Sequence, residues 1–233
     1  MAKNKRLVSL AGMLVLAGCN ASVNEDIEIT AGQPHKVPSV TVNGDVRVDR
    51  DAVSDAALRT VNGSIRVDDS AKVRDCATVN GRMEIGDDTQ TGDLETVNGD
   101  LHVGERARVQ GHIRLVNGEV ALKTGTHVDG SVDTVNGRIV MHGASIAGNI
   151  SNVSGGMLIT DGTHVHGNLR VRDPGDDPKG TPPEIVIGPD TVIDGDLRFE
   201  QPVRLFIHES ARVGDINGAE AVRYSGETPS ASS

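Results

Sequence analysis

Aromatic residues are nearly missing from this chain of 233 residues: Trp is absent, and Phe199, Phe206 and Tyr224 are the only aromatic side chains. Aromatics supply much of the buried area in an ordinary core. Their scarcity argues against a broad globular core and for a narrow one lined by Val, Ile, Leu and Ala. A surplus of positive charge is missing too. Lys and Arg number 23 against 33 Asp and Glu, for a net charge of -10. That balance disfavours nucleic acid or an anionic lipid surface as the main partner. Beyond the first two dozen residues no apolar run is long enough to cross a bilayer. Cysteine is limited to Cys19 and Cys76, whereas Gly is abundant at 28 residues.

What is present is a repeat. Thr-Val-Asn-Gly stands at residues 41–44, 60–63, 78–81, 96–99 and 134–137. Leu115-Val116-Asn117-Gly118 differs at one position, and Val153-Ser154-Gly155 is a worn copy. The motif valines (Val42, Val61, Val79, Val97, Val116, Val135 and Val153) lie 18 or 19 residues apart. A near-fixed period of this size marks a repeat architecture. Apolar residues recur four and six places after each valine, as in Val46 and Val48, Ile65 and Val67, or Leu101 and Val103. Arg47, Arg66, Glu84 and His102 lie between them. This alternation marks a strand with one buried face. Later in each repeat come a small residue, a β-branched one, Gly and an aliphatic, as in residues 107–113.

Asn-Gly between alternating apolar residues is also a strong hairpin signal. A stack of hairpins, however, gives no reason for every turn to return in one register. A coil that comes back to its starting angle does. The pattern therefore predicts an all-β fold: a single-stranded parallel β-helix (solenoid) of about nine coils with 18–19 residues per coil. Equivalent side chains then stack roughly 4.8 Å apart, with the asparagines in an internal amide ladder. The β-helix domain is expected over residues 25–222, opening on a partial coil at Ile27 and Ile29. A Pro-, Gly- and Asp-rich insertion at 172–183 should project from it. Residues 223–233 read as a disordered polar tail.

The start of the chain is a different segment. Residues 1–6 are basic, residues 7–16 are mostly apolar, and Leu16-Ala17-Gly18-Cys19 follows. The first two parts have the make-up of a secretory signal peptide. The last resembles a bacterial lipobox. The resemblance implies a lipoprotein signal peptide at 1–18, cleavage before Cys19, lipidation of Cys19 with acyl chains such as palmitate, and a lipidated tether at 19–24. Losing residues 1–18 removes Lys3, Lys5 and Arg6 and no acid, which takes the charge from -10 to -13. Several acyl chains anchor stably, at about 0.8 kcal/mol per buried CH₂. The membrane is then a partner through the lipid on Cys19. Asn20, rather than Asp, after the Cys leans by analogy with Gram-negative lipoproteins toward the outer membrane, facing the periplasm or the cell surface. A lipidated Cys19 excludes an intrachain disulfide. Cys76 lies three residues before Val79, in the slot of Leu58, Leu94, Ile113, Val132 and Ile150, and reads as a buried core residue.

The Val-Asn-Gly-x-Ile-x-Val repeats resemble those of adhesin-like bacterial envelope proteins, a family with no assigned reaction. Residues 107–113 and 210–216 are similar to segments of the polymer-forming cytoskeletal proteins, the bactofilins. The two resemblances cover residues 42–216. They imply a solenoid that acts as a lipid-anchored structural or interaction scaffold, with an envelope protein or polysaccharide as partner. The bactofilin likeness adds an alternative: end-to-end self-association into filaments. At the chain's end, Phe199 and Phe206 are expected to cap the core, the rival being a sticky end for another copy.

Catalytic signals are weak. His127 and His164 share a slot two coils apart, about 10 Å, too far for one zinc. His164 and His166 share a strand face, but no third ligand is evident, so no metal and no cofactor is assigned. Hexapeptide acyltransferases and solenoid polysaccharide lyases supply an enzymatic alternative. The acids here, such as Asp45, Asp87, Asp88 and Asp100, are scattered around turns instead of gathered on one face, and no catalytic residue is assigned. Loss of an activity on changing His164 or His166 would favour the enzyme.

Overall fold

A computed structural model describes residues 20–33, 35–175, 181–226 and 228–229. Cys19 and the expected leader at 1–18 lie outside them. The chain winds as a β-solenoid of stacked parallel strands, in about ten turns. Each coil offers three short strands. Leu58–Thr60, Ile65–Val67 and Lys72–Val73 make one set, and we call their stacks the first, second and third faces. The third face is a separate nine-stranded sheet. The first two merge into one 20-stranded sheet, because Ile113–Leu122 and Val132–His142 run through both without a break. Every pairing joins a strand to its equivalent one coil on, as in Leu58 with Cys76 and Ile65 with Met83. Among the described residues no helix is long and apolar enough to cross a membrane.

Both ends are more structured than the sequence suggests. Asn20–Ser22, inside the expected tether, is already a strand, paired in register with Ser39–Thr41. Ala221–Tyr224 extends two residues into the expected tail and pairs with the preceding coil. These partial coils account for the turn beyond the nine counted. The insertion lengthens one coil, so partners across it lie 28 residues apart instead of 18 or 19. Its middle, residues 176–180, lies outside the described residues. Arg172 and Pro183, at its two ends, accept hydrogen bonds from the Gln201 side chain and the Arg204 amide, and its proline-rich arms flank the second face.

The core is aliphatic along its length. Leu94, Ile113, Leu122, Ile139 and Ile150 are fully buried. Cys76 stacks between Leu58 and Leu94, in the slot expected. Burial pushes its thiol up to about 12, with the Asp75 carboxylate adding to the effect.

The motif divides its work differently from the expectation. Thr points inward and the motif Val is half-buried. The Thr60 hydroxyl donates to the Gly44 carbonyl of the coil before (2.8 Å), and Thr78 repeats this on Gly63 (2.9 Å). Asn forms the expected amide ladder, but on the outside. Seven side chains from Asn24 to Asn136 hand a hydrogen bond down the stack at 2.7–3.1 Å. An exterior position follows from the alternation: with Thr inward, Val and Asn fall at the corner, and only the corner's outer side has room for an amide. The Gly is required by packing more than by turn geometry. A Cβ at Gly81 would lie 2.0 Å from the Gly63 carbonyl oxygen. The left-handed corner is elsewhere, between the second and third faces. There Asp51, Ser70, Asp88 and Arg106 hold φ of 54–61°. Such a conformation costs an L-residue about 1–2 kcal/mol. It persists because it aims amides at the next coil, as Ser70 to the Asp87 carbonyl at 2.8 Å.

Candidate functional site

Most outward polar side chains serve the stack. Asp45 accepts from the Ser64 amide, Asp75 from Asp93, and Asp93 from His112. The same corner continues with His112, Ser131, Asn149 and Asn168, each accepting from the amide one coil on. Of the acids scattered around the turns, Asp45, Asp87 and Asp100 are thus caps for an amide of the next coil, which is why they do not converge. Charged pairs also cross coils. Arg106 bonds Asp88 at 2.8 and 2.9 Å and holds that carboxyl below its usual range.

One outward column changes character along the rod. On the second face, register neighbours run Glu28, Arg47, Arg66, Glu84, His102. The same line then continues Ala121, Val140, Leu158, Val186, Phe206, Val222. Outward aliphatics on the third face are isolated, as Val53 beside Lys72 and Val192 between His164 and Arg212. A groove of about 990 Å³ lies over the apolar part. Leu158 and Val186 form its floor, with Pro174 and Pro182 of the insertion and Pro229 of the tail beside them. Arg138, Glu184 and Arg204 add charge, and Arg204 pairs with Glu184 at 2.9 Å. Val186 is 7% exposed, whereas Val222 at the open end is 51% exposed. The signal was present in the sequence: the residue between the two inward aliphatics of each second-face strand turns apolar at Ala121.

The aromatics do not form the expected plug. Phe199 is an inward residue stacked on Val171, and Phe206 is half-buried in the outward column. Tyr224, at 8% exposure, meets His208 edge-on. In the last coil Val213, Ile216, Ala219 and Ala221 pack on the core but stay partly exposed. Among the described residues no strand pairs beyond them.

His127 and His164 occupy one outward column of the third face, separated by Ser145. His127 pairs with Asp129 at 2.9 Å and His142 with Asp161 at 2.7 Å. His164 and His166 have ring centroids 4.0 Å apart. The next coil brings Asp194 to both. Its Oδ2 accepts from His164 Nε2 at 2.8 Å and His166 Nδ1 at 2.9 Å. The bond from His164, then that from His166, holds the Asp194 carboxyl below its usual range. Asp194 lies 28 residues from His166 in sequence. The insertion breaks the period between them and hides the partnership from a reading in steps of 18 or 19.

Fold and surface together define a class, a β-solenoid built of parallel coils. Comparison with protein-family models, with curated proteins and with solved structures gives no match. The functional reading therefore rests on the surface just described.

Proposed function

We propose that the protein is a lipid-anchored scaffold of the bacterial envelope. Lipid on Cys19 holds the rod at the outer membrane, and the rod presents one face to another envelope component without carrying out a reaction. The observation that supports this reading is the apolar outward column with its groove. The column is half-buried along most of its length, buried at Val186 and exposed at Val222, and a contiguous apolar strip that opens to solvent fits an interaction site. The first strand begins at Asn20, directly after Cys19, so such an anchor would hold the rod close to the bilayer. The adhesin-like resemblance agrees with a binding role. Two experiments test it. Cys19→Ser should move the protein from the membrane fraction to the soluble one; unchanged fractionation would remove the anchor from the proposal. A photocrosslinking residue at position 158 should give adducts in cells where one at position 84 does not. Equal labelling at both would remove the groove.

A second reading is filament formation, favoured by the open last coil. An uncovered strand edge beside partly exposed aliphatics is a template for another chain. Since Phe206 lies on the side of the rod, the informative change is Ile216→Asp. Sedimentation with electron microscopy should show filaments that this change dissolves; a monomer at all concentrations would sink the reading.

A further inference from the structure

We propose that His164, His166 and Asp194 form a site for a divalent transition-metal ion, with Zn²⁺ as the ion their donor set fits best. Among the described residues this is the one group of three His, Cys or carboxylate side chains whose ligand atoms all lie within 4.8 Å of one another. Two imidazole nitrogens and one carboxylate oxygen are ordinary zinc donors, at about 2.0–2.2 Å from the metal. Tetrahedral coordination at such lengths separates ligand atoms by roughly 3.3 Å. The two His–Asp separations of 2.8 and 2.9 Å need to open by only a few tenths of an ångström.

The backbone beneath the three residues is rigid. The His164 amide bonds the Ala144 carbonyl at 2.8 Å, His166 bonds Ile146 at 2.9 Å, and Asp194 bonds Val165 at 2.9 Å. Val165, between the two histidines, and Ile193, which precedes Asp194 and pairs with Val165, are buried in the core and fix the strands' faces. His164 lies in a strand, and His166 and Asp194 follow the strands His164–Val165 and Val192–Ile193 by one residue. Because their amides are still bonded from coil to coil, they hold their spacing better than ligands on free loops. The approach is open. The residues one coil below His164 and His166 are Ser145 and Ala147, both small, and all three ligands are partly or fully exposed. The protein supplies three donors, so the fourth position takes water.

Protons balance simply. With Asp194 ionised, His164 carries its proton on Nε2 and His166 on Nδ1, since a carboxylate accepts. The metal takes those nitrogens, and each ring's proton moves to its other nitrogen. Among the described residues the remaining His–Asp contacts, His127 with Asp129 and His142 with Asp161, are pairs without a third ligand. They serve as internal controls.

The test uses the full chain carrying Cys19→Ser, which removes a competing thiol, stripped with chelator and titrated with ZnCl₂ by calorimetry and equilibrium dialysis. One equivalent of zinc should bind. His166→Ala and Asp194→Asn should each weaken it by more than the ~10–100-fold that follows loss of an outer partner. The double change His127→Ala with His142→Ala should leave it intact. Co²⁺ should give the intense visible band of a four-coordinate ion, lost in His166→Ala. Circular dichroism of each variant checks that the coil survives. No zinc binding by the parent, equal binding by His166→Ala, or a weak six-coordinate cobalt spectrum would each overturn the site.

Discussion

The two halves of the second face differ in one respect and agree in another. Inward, Ile65 and Val67 in an early coil and Ile185 and Ile187 in a late one are equally buried. Outward, between those same residues, the early coil carries Arg66 and the late one Val186. The backbone register is unchanged along the whole line. A solenoid separates its two tasks in this way. Each coil touches only its neighbours, so inward residues must repeat to keep the stack in phase. Outward residues carry no such constraint and are free to build a surface. The change from charge to aliphatic at Ala121 is therefore not demanded by coil phase and bears directly on what the rod meets.

The sharpest challenge to this comparison is to damage the inside of both halves. Leu94 and Leu169 occupy the same inward slot, and both are fully buried. Leu94→Ala and Leu169→Ala should each cost about 2–5 kcal/mol in chemical denaturation, with nearly equal values. Costs that differ by most of that range would mean that the halves are not one repeating core.

Next in size is the glycine of the repeat. Gly81→Ala places a Cβ 2.0 Å from the Gly63 carbonyl oxygen, an atom held in the stack that cannot rotate away. A loss of about 1–3 kcal/mol is expected, seen as a lower melting temperature without loss of β-sheet circular dichroism. A neutral substitution would return Gly81 to a simple turn role and revive the hairpin-like account of Asn-Gly.

That substitution also shows how far the sequence could be read. Coil length, the inward aliphatics and the place of Cys76 were legible because burial imposes a strict period on them. The side of the Asn ladder was not legible, because Val-Asn-Gly sits at a corner where alternation stops and only the inward Thr settles the direction. The left-handed corner at Asp51, Ser70, Asp88 and Arg106 left no signal, since coil-to-coil amide bonds hold it whatever the side chain. Asp194 escaped for a third reason. The insertion shifts it out of period, so its meeting with His164 and His166 exists only in three dimensions. The apolar column was written plainly at every outward position after His102; reading those residues coil by coil, instead of as generic polar surface, reveals it.

The smallest effect is the most specific to the outward line. Arg66 and Glu84 are register neighbours at 2.9 Å, both well exposed. A double-mutant cycle to Ala, with Asp68 retained because it also bonds Arg66, should give a coupling of roughly 0.2–1 kcal/mol. In about 1 M salt, where the screening length is ~3 Å, that coupling should fall toward zero. Leu158 and Val186 are the equivalent neighbours in the other half. Their cycle should give a coupling of similar size, about 0.2–1 kcal/mol, but salt should leave it unchanged or slightly strengthen it, because apolar contact is not screened. Two couplings of equal size and opposite salt response would separate the halves by the chemistry of their outer faces alone. The same response in both would mean that charges from the insertion and from Arg138, Glu184 and Arg204 dominate the groove, and that its partner is to be sought among charged molecules.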